Sequence, residues 1–249
     1  MAFVLILAPV LESCEKETPD TPPTNPLGEL EKLSTVSLDI TEPSGLSFGP
    51  DNATLLIVSD NTNKVYETNL QGDIIRELAF VGSDLEGVAY NPDENIIAVT
   101  EERKREVVLI DYNTGIEQSR HEINVDQSVE NAGLEGISYN KSNLAYYIVN
   151  EQLPGELIIW NTQFDIIDKS EIRFADDYSG IFVDTQNALL WFISDESRAM
   201  YKADYNGNVI KEYPLLISKF EGITIDVGNN LLYLVNDATF ELTTYKIIE

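Results

Sequence analysis

A five-residue phrase returns five times along this chain of 249 residues. It reads Ser44-Gly45-Leu46-Ser47-Phe48, Glu86-Gly87-Val88-Ala89-Tyr90 and Glu135-Gly136-Ile137-Ser138-Tyr139, then Ser179-Gly180-Ile181-Phe182-Val183 and Glu221-Gly222-Ile223-Thr224-Ile225. The glycines stand at 45, 87, 136, 180 and 222, so the steps are 42, 49, 44 and 42 residues. A period near forty with several short strands per unit is the signature of propeller blades. The expected fold is all-β: a five-bladed β-propeller of four-stranded antiparallel blades.

Each unit follows one grammar. The phrase opens a short strand, and a turn such as Gly49-Pro50-Asp51-Asn52 or Asn91-Pro92-Asp93-Glu94 follows it. Next comes the most apolar run, for example Leu55-Leu56-Ile57-Val58 or Leu190-Trp191-Phe192-Ile193. Such runs lack polar alternation, which predicts a strand covered on both faces. A third strand, a tight turn such as Asn206-Gly207-Asn208, and a more polar outer strand complete the unit. Nothing shows sustained helical periodicity.

After the fifth phrase only three strands remain, ending at Thr243-Thr244-Tyr245-Lys246-Ile247-Ile248. An unpartnered strand, Ser34 to Ile40, stands before the first phrase. It is predicted to complete the last blade and close the ring, which removes an exposed sheet edge. The propeller domain is expected over residues 31–249.

The N-terminus reads differently. Met1 to Val10 are almost wholly apolar, too short a run for a membrane span of about 20 residues. The run suits a secretory signal that lacks the usual basic start. Leu11-Glu12-Ser13-Cys14 follows and resembles a bacterial lipobox, with Glu12 where a small or apolar residue is usual. Residues 1–14 are therefore read as a signal segment with Cys14 as the lipidated residue; a plain apolar N-terminus with an incidental cysteine is the alternative. Residues 15–30 are Pro-rich and acidic, which suits a solvated tether. The expected location is the bacterial cell envelope, lipid-anchored at the outer membrane or cell surface, with the periplasm second.

Composition narrows the chemistry. There are 43 acidic residues against 16 basic ones, a formal net charge of −27. Nucleic acid is excluded as a partner, because phosphate contacts need clustered Lys and Arg. Cations and basic partners are favoured. One cysteine leaves no intrachain disulfide and no cysteine-type zinc site. The single histidine, His121, falls in an outer strand, and no nucleophile elbow accompanies it.

The carboxylates recur in register. The phrase begins with Glu in three units, Glu86, Glu135 and Glu221. The second strands end in Ser59-Asp60, Thr100-Glu101, Asn150-Glu151, Ser194-Asp195 and Asn236-Asp237. In a propeller these positions share one end of the pore. Glu86, Glu135 and Glu221 are predicted at the channel mouth, ringed by Asp60, Glu101, Glu151, Asp195 and Asp237. Carboxylates so close must take up protons or a cation. Calcium, with six to eight oxygen ligands, suits them best and magnesium second. The ring residues also suit a plainer role, capping turns and accepting loop amides.

The phrases Asp84-Leu85-Glu86-Gly87-Val88-Ala89-Tyr90, Gly133-Leu134-Glu135-Gly136-Ile137-Ser138-Tyr139 and Phe220-Glu221-Gly222-Ile223-Thr224-Ile225-Asp226 resemble those of the SdiA-regulated (YjiK-like) proteins. The resemblance covers about residues 34–249. It implies a five-bladed propeller distantly similar to NHL-repeat propellers, with bound calcium and an envelope location. It carries no established activity. The calcium role transfers to Glu86, Glu135 and Glu221; Ser44 and Ser179 depart from the pattern.

Two functional expectations follow. The first is a monomeric, calcium-binding module that takes a small molecule or protein on its acidic face and meets the membrane only through a lipid anchor. The second is a calcium-dependent hydrolase of the lactonase or phosphoesterase kind, with Glu101, Glu151 or Asp237 as the base. Against the second, such enzymes usually add a nearby His, and His121 is misplaced for that.

Overall fold

A computed structural model describes residues 26–125, 132–151 and 155–248. Cys14, the lipobox-like segment and the tether as far as residue 25 lie outside the described residues. The strands form five four-stranded antiparallel sheets. Each innermost strand meets that of the next blade, and the fifth meets the first, so the ring closes. The innermost strands are Pro43–Phe48, Leu85–Asn91, Leu134–Asn140, Gly180–Asp184 and Phe220–Asp226.

The N-terminal strand closes the last blade, as expected. It runs Glu29–Ser37 and pairs with Glu241–Ile248, with Thr35 opposite Thr243. Leu38 and Ile40, expected within it, instead leave the sheet and bury between blades five and one. Leu27 bridges to Glu212 on the outer strand of blade four.

The core is divided into five apolar layers, one between each pair of adjacent blades. The second strands explain themselves in this setting. In Leu55–Ser59, Leu56 and Val58 face the layer shared with blade two, while Leu55 and Ile57 face the layer shared with blade five. All four are fully buried. Alternate side chains enter different cores, so none can be polar. Burial stabilises each by about 1.5–3 kcal/mol. The outer strands are polar because water covers them; Ile166–Glu171 is exposed along its whole length.

The phrase glycines form a collar. A Cβ built on Gly45, Gly87, Gly136, Gly180 or Gly222 would lie under 3.0 Å from backbone atoms of the next blade's phrase. Gly45 abuts the Glu86 carbonyl, Gly87 that of Glu135, Gly136 the Ile181 amide, Gly180 the Glu221 carbonyl and Gly222 the Leu46 amide. Neighbouring backbones approach so closely that no side chain fits between them. Inside the collar only about 10 Å³ of space remains, room for one water at most.

Two outcomes test this account. Gly136→Ala should lose about 3 kcal/mol or more of stability in chemical denaturation, because the obstruction is backbone and cannot swing aside. Leu144 is half exposed and sits at φ 54, left-handed backbone that costs a side chain about 1 kcal/mol. Leu144→Gly should therefore raise the melting temperature by about 2–4 °C in calorimetry.

The acidic mouth as candidate functional site

The phrase does more than build the collar. Register shifts fall at Pro43/Gly45, Leu85/Val88, Leu134/Ile137 and Phe220/Gly222. Each shift is a bulge at the phrase's first residues, and a bulge re-aims the side chain it carries. In blade four the strand starts only at Gly180 and runs without a shift. Where the phrase begins with Ser, the hydroxyl ties the blade to its neighbour. Ser44 Oγ donates to the Leu85 carbonyl at 2.6 Å, and Ser179 Oγ reaches that of Phe220 at 3.4 Å. Where it begins with Glu, the side chain enters the mouth.

The mouth is an open basin of about 280 Å³. Glu86, Glu135, Glu221, Asp60, Glu151, Asp195 and Asp237 all border it. Glu101 does not. It is fully buried, and its Oε2 is ion-paired with Lys104 at 2.7 Å and Arg120 at 3.1 Å, which ties down the outer strand of blade two. Glu102 stands at the mouth instead. The register gives the reason. Glu101 pairs with Leu85 as Asn150 pairs with Leu134 and Asn236 with Phe220, so Glu101 is the last strand residue and Glu102 the one beyond it. The backbone repeats that alignment: Asp60, Glu102, Glu151 and Asp237 each donate an amide to the residue two before the phrase. A slip of one residue turns the side chain to the other face.

That residue two before the phrase was missed from sequence. It is Glu42, Asp84, Gly133, Asp177 and Lys219 in successive blades. Glu42, Asp177 and Lys219 border the basin. Glu42, Asp84 and Lys219 adopt positive φ, which tucks the connection against the mouth. The available signal was a charged residue at a fixed offset in four of five units. Asp177 serves as a cap, accepting the amides of Asp195 at 3.2 Å and Glu196 at 3.1 Å.

Two carboxylate triplets arise, Asp60–Asp84–Glu86 and Glu102–Glu135–Glu151. Within each, ligand oxygens lie within 4.8 Å of one another. Their electrostatics differ. Arg103 meets Asp84 at 3.2 Å in the first. On the far side of the basin Lys219 meets Asp195 at 2.6 Å and Glu221 at 3.8 Å. Neither Glu102 nor Glu135 has an ion pair among the described residues. Glu135 is 9% exposed, so its carboxylate has little water around it.

Proton affinity follows. Burial, then repulsion from Glu221, Asp60 and Glu102, pushes Glu86 well above the usual carboxylate range. Burial, then Glu86, Glu151 and Glu102, does the same to Glu135. Burial and Asp237 lift Glu221 to about 8 despite Lys219. Burial lifts Glu102 to about 7, with Asp84 and Glu151 adding to it and the Gly133 amide opposing. Asp60 and Asp237 are raised, again first by burial. His121 takes no part: burial lowers its basicity, and its ring stacks on Phe164 at 3.8 Å. The donor set at the mouth is all oxygen and nearly all carboxylate, which fits a hard divalent cation.

Comparison with solved structures finds the same architecture elsewhere. Glutaminyl cyclase from Myxococcus xanthus superposes with a TM-score of 0.70 at 9% identity, covering 91% of this chain and 100% of that one. Virginiamycin B lyase from Staphylococcus aureus, in a catalytically inactive form with quinupristin, gives 0.53 at 19% identity. That match covers 83% of this chain and 66% of the lyase. Hydrazine synthase from Kuenenia stuttgartiensis gives 0.54 at 15% identity, with 81% of this chain on 57% of that one. At such identities the likeness is one of fold. The SdiA-regulated family matches residues 30–240, a span from the closing strand to the last turn of blade five. The chain thus belongs to the SdiA-regulated family.

Proposed function

We propose that this protein is a calcium-binding propeller that presents its acidic mouth to a ligand or protein, anchored at the bacterial envelope through Cys14. One observation carries the cation: Glu102, Glu135 and Glu151 converge within 4.8 Å, and Glu135 is 9% exposed with no ion pair among the described residues. An unpaired buried carboxylate is costly, and a hard cation offsets that cost. Glu102, Glu135 and Glu151 would hold the ion, with Glu86 next to them; Glu221 already has Lys219. Calcium ranks before magnesium because the basin is open and two of the three ligands, Glu102 and Glu151, sit on connections. When bound, the cation supplies a doubly positive centre that attracts an oxygen of a ligand. Further carboxylates, Asp60, Asp195 and Asp237 among them, give the rim a charge that favours a basic partner. The apolar leader, Cys14 and the Pro-rich tether support the anchor.

A metal-dependent hydrolase is the second reading. It is favoured by Glu221 near 8, a carboxyl group outside the cation triplet that exchanges a proton around neutral pH. Glu151 and Asp237 stand at the mouth as candidate bases, whereas Glu101 is committed to its ion pairs.

Three outcomes test these readings. Calcium added to EDTA-treated protein should raise the melting temperature by several degrees, and Glu135→Gln should abolish the response; an unresponsive wild type removes the cation. In EDTA the raised glutamates keep protons that the unfolded chain releases from about pH 4.5 upward. The folded state then binds more protons, so stability should fall as pH rises from about 4.5 to about 8, and calcium should flatten that slope. Asp111, held low by its hydrogen bond from Thr114, and Asp204, held low by Asn208, act below this window. For the second reading, calcium-loaded protein should turn over a member of an ester, lactone and phosphodiester panel, and Glu151→Gln should stop it; no turnover across the panel removes the hydrolase.

A further inference from the structure

The pore has a second opening. Beyond the glycine collar it widens into a funnel of about 380 Å³, within the usual range for small-molecule pockets. The collar leaves too little space to join the two ends, so the funnel is separate from the acidic mouth.

Its floor is aliphatic, made by Leu46, Ile137, Ile181 and Ile223. One residue further along the innermost strands, the wall carries Ser47, Ser138, Phe182 and Thr224. Thr224 is 2% exposed, and its hydroxyl has no hydrogen-bond partner among the described residues. Ser138 Oγ accepts the Val183 amide at 3.1 Å, which leaves its own proton to donate. Thr224 lines the funnel, so its hydroxyl is placed to pair with something that enters there.

Much of the charge in the funnel is already engaged, with Asp51 at the rim the exception. Asp184 accepts the amides of Gln186 and Asn187 at 3.0 Å, and Asp226 that of Asn229 at 3.1 Å. Lys141 faces Asp93 at 3.7 Å. Among the lining residues Lys141 stands against three carboxylates, Asp51, Asp184 and Asp226, which disfavours a phosphate or a carboxylate as ligand.

The decoration is also irregular. The collar repeats Gly in every blade, but the wall position runs Ser47, Ala89, Ser138, Phe182, Thr224. A shared structural need would repeat, whereas an asymmetric ligand requires asymmetry. At the rim, Asp51 and Asn52 both hold φ 54, while the matching turns of the other blades hold one such residue each. Left-handed backbone outside glycine collects at binding rims.

We propose that this funnel is a second binding site, for a small uncharged polyhydroxy ligand of the mono- or disaccharide class. The sugar's C–H face would lie on the Phe182 ring and the aliphatic floor, and its hydroxyls would pair with Thr224 and Ser138.

The test is saturation-transfer NMR and calorimetry on the calcium-loaded protein. The probes are glucose, galactose, N-acetylglucosamine, maltose and cellobiose at millimolar concentration. At least one should bind. Thr224→Val and Phe182→Ala should each weaken it by about fivefold to tenfold, and Thr224→Ser should keep it. EDTA should leave the affinity unchanged. If Thr224→Val lowers the folded fraction, Phe182→Ala alone decides. No transfer to any probe, equal affinity in both variants, or loss of binding in EDTA would each overturn the proposal.

Discussion

Everything in this ring rests on backbone meeting backbone at the axis. Five glycines, at 45, 87, 136, 180 and 222, let each innermost strand touch the next. Side chains there would push the blades outward and open the five apolar layers together. The layers supply the bulk of the burial, but the collar sets the radius at which they can form. The same contact seals the pore and divides it into two chambers of unlike chemistry.

The acidic chamber is a place where folding and repulsion conflict. Glu86 and Glu135 stand on bulges whose companion glycines belong to the collar, so their positions cannot relax without loosening the ring. Arg103 and Lys219 relieve two sides of the basin and leave the third uncompensated. Structures that retain such tension usually use it.

Much of the ring was legible in the sequence. Periodic Gly and unbroken apolar runs report contacts that every blade must make, and the orphan strand before the first phrase reported the closure. The mouth was legible only in part. Glu101 and Glu102 adjoin at the end of blade two's second strand, and sequence alone took Glu101 where the ladder puts Glu102 outward. The bulge opposite hides that register, and an apolar run does not show where pairing stops. The residue two before the phrase went unseen because it lies in a connection and changes sign, from Glu42 to Lys219. The funnel left no trace at all, since its wall differs in each blade and repetition was the signal in use.

The closing strand has a further meaning. Leu27 and Gly28 rest beside Glu212, on the circumference between the fourth and fifth blades. The polypeptide is fed into the disc from its side rather than across either flat surface. Like a wheel held by its tyre, the described part of the ring is joined at its perimeter, and the strand that closes it crosses neither hub.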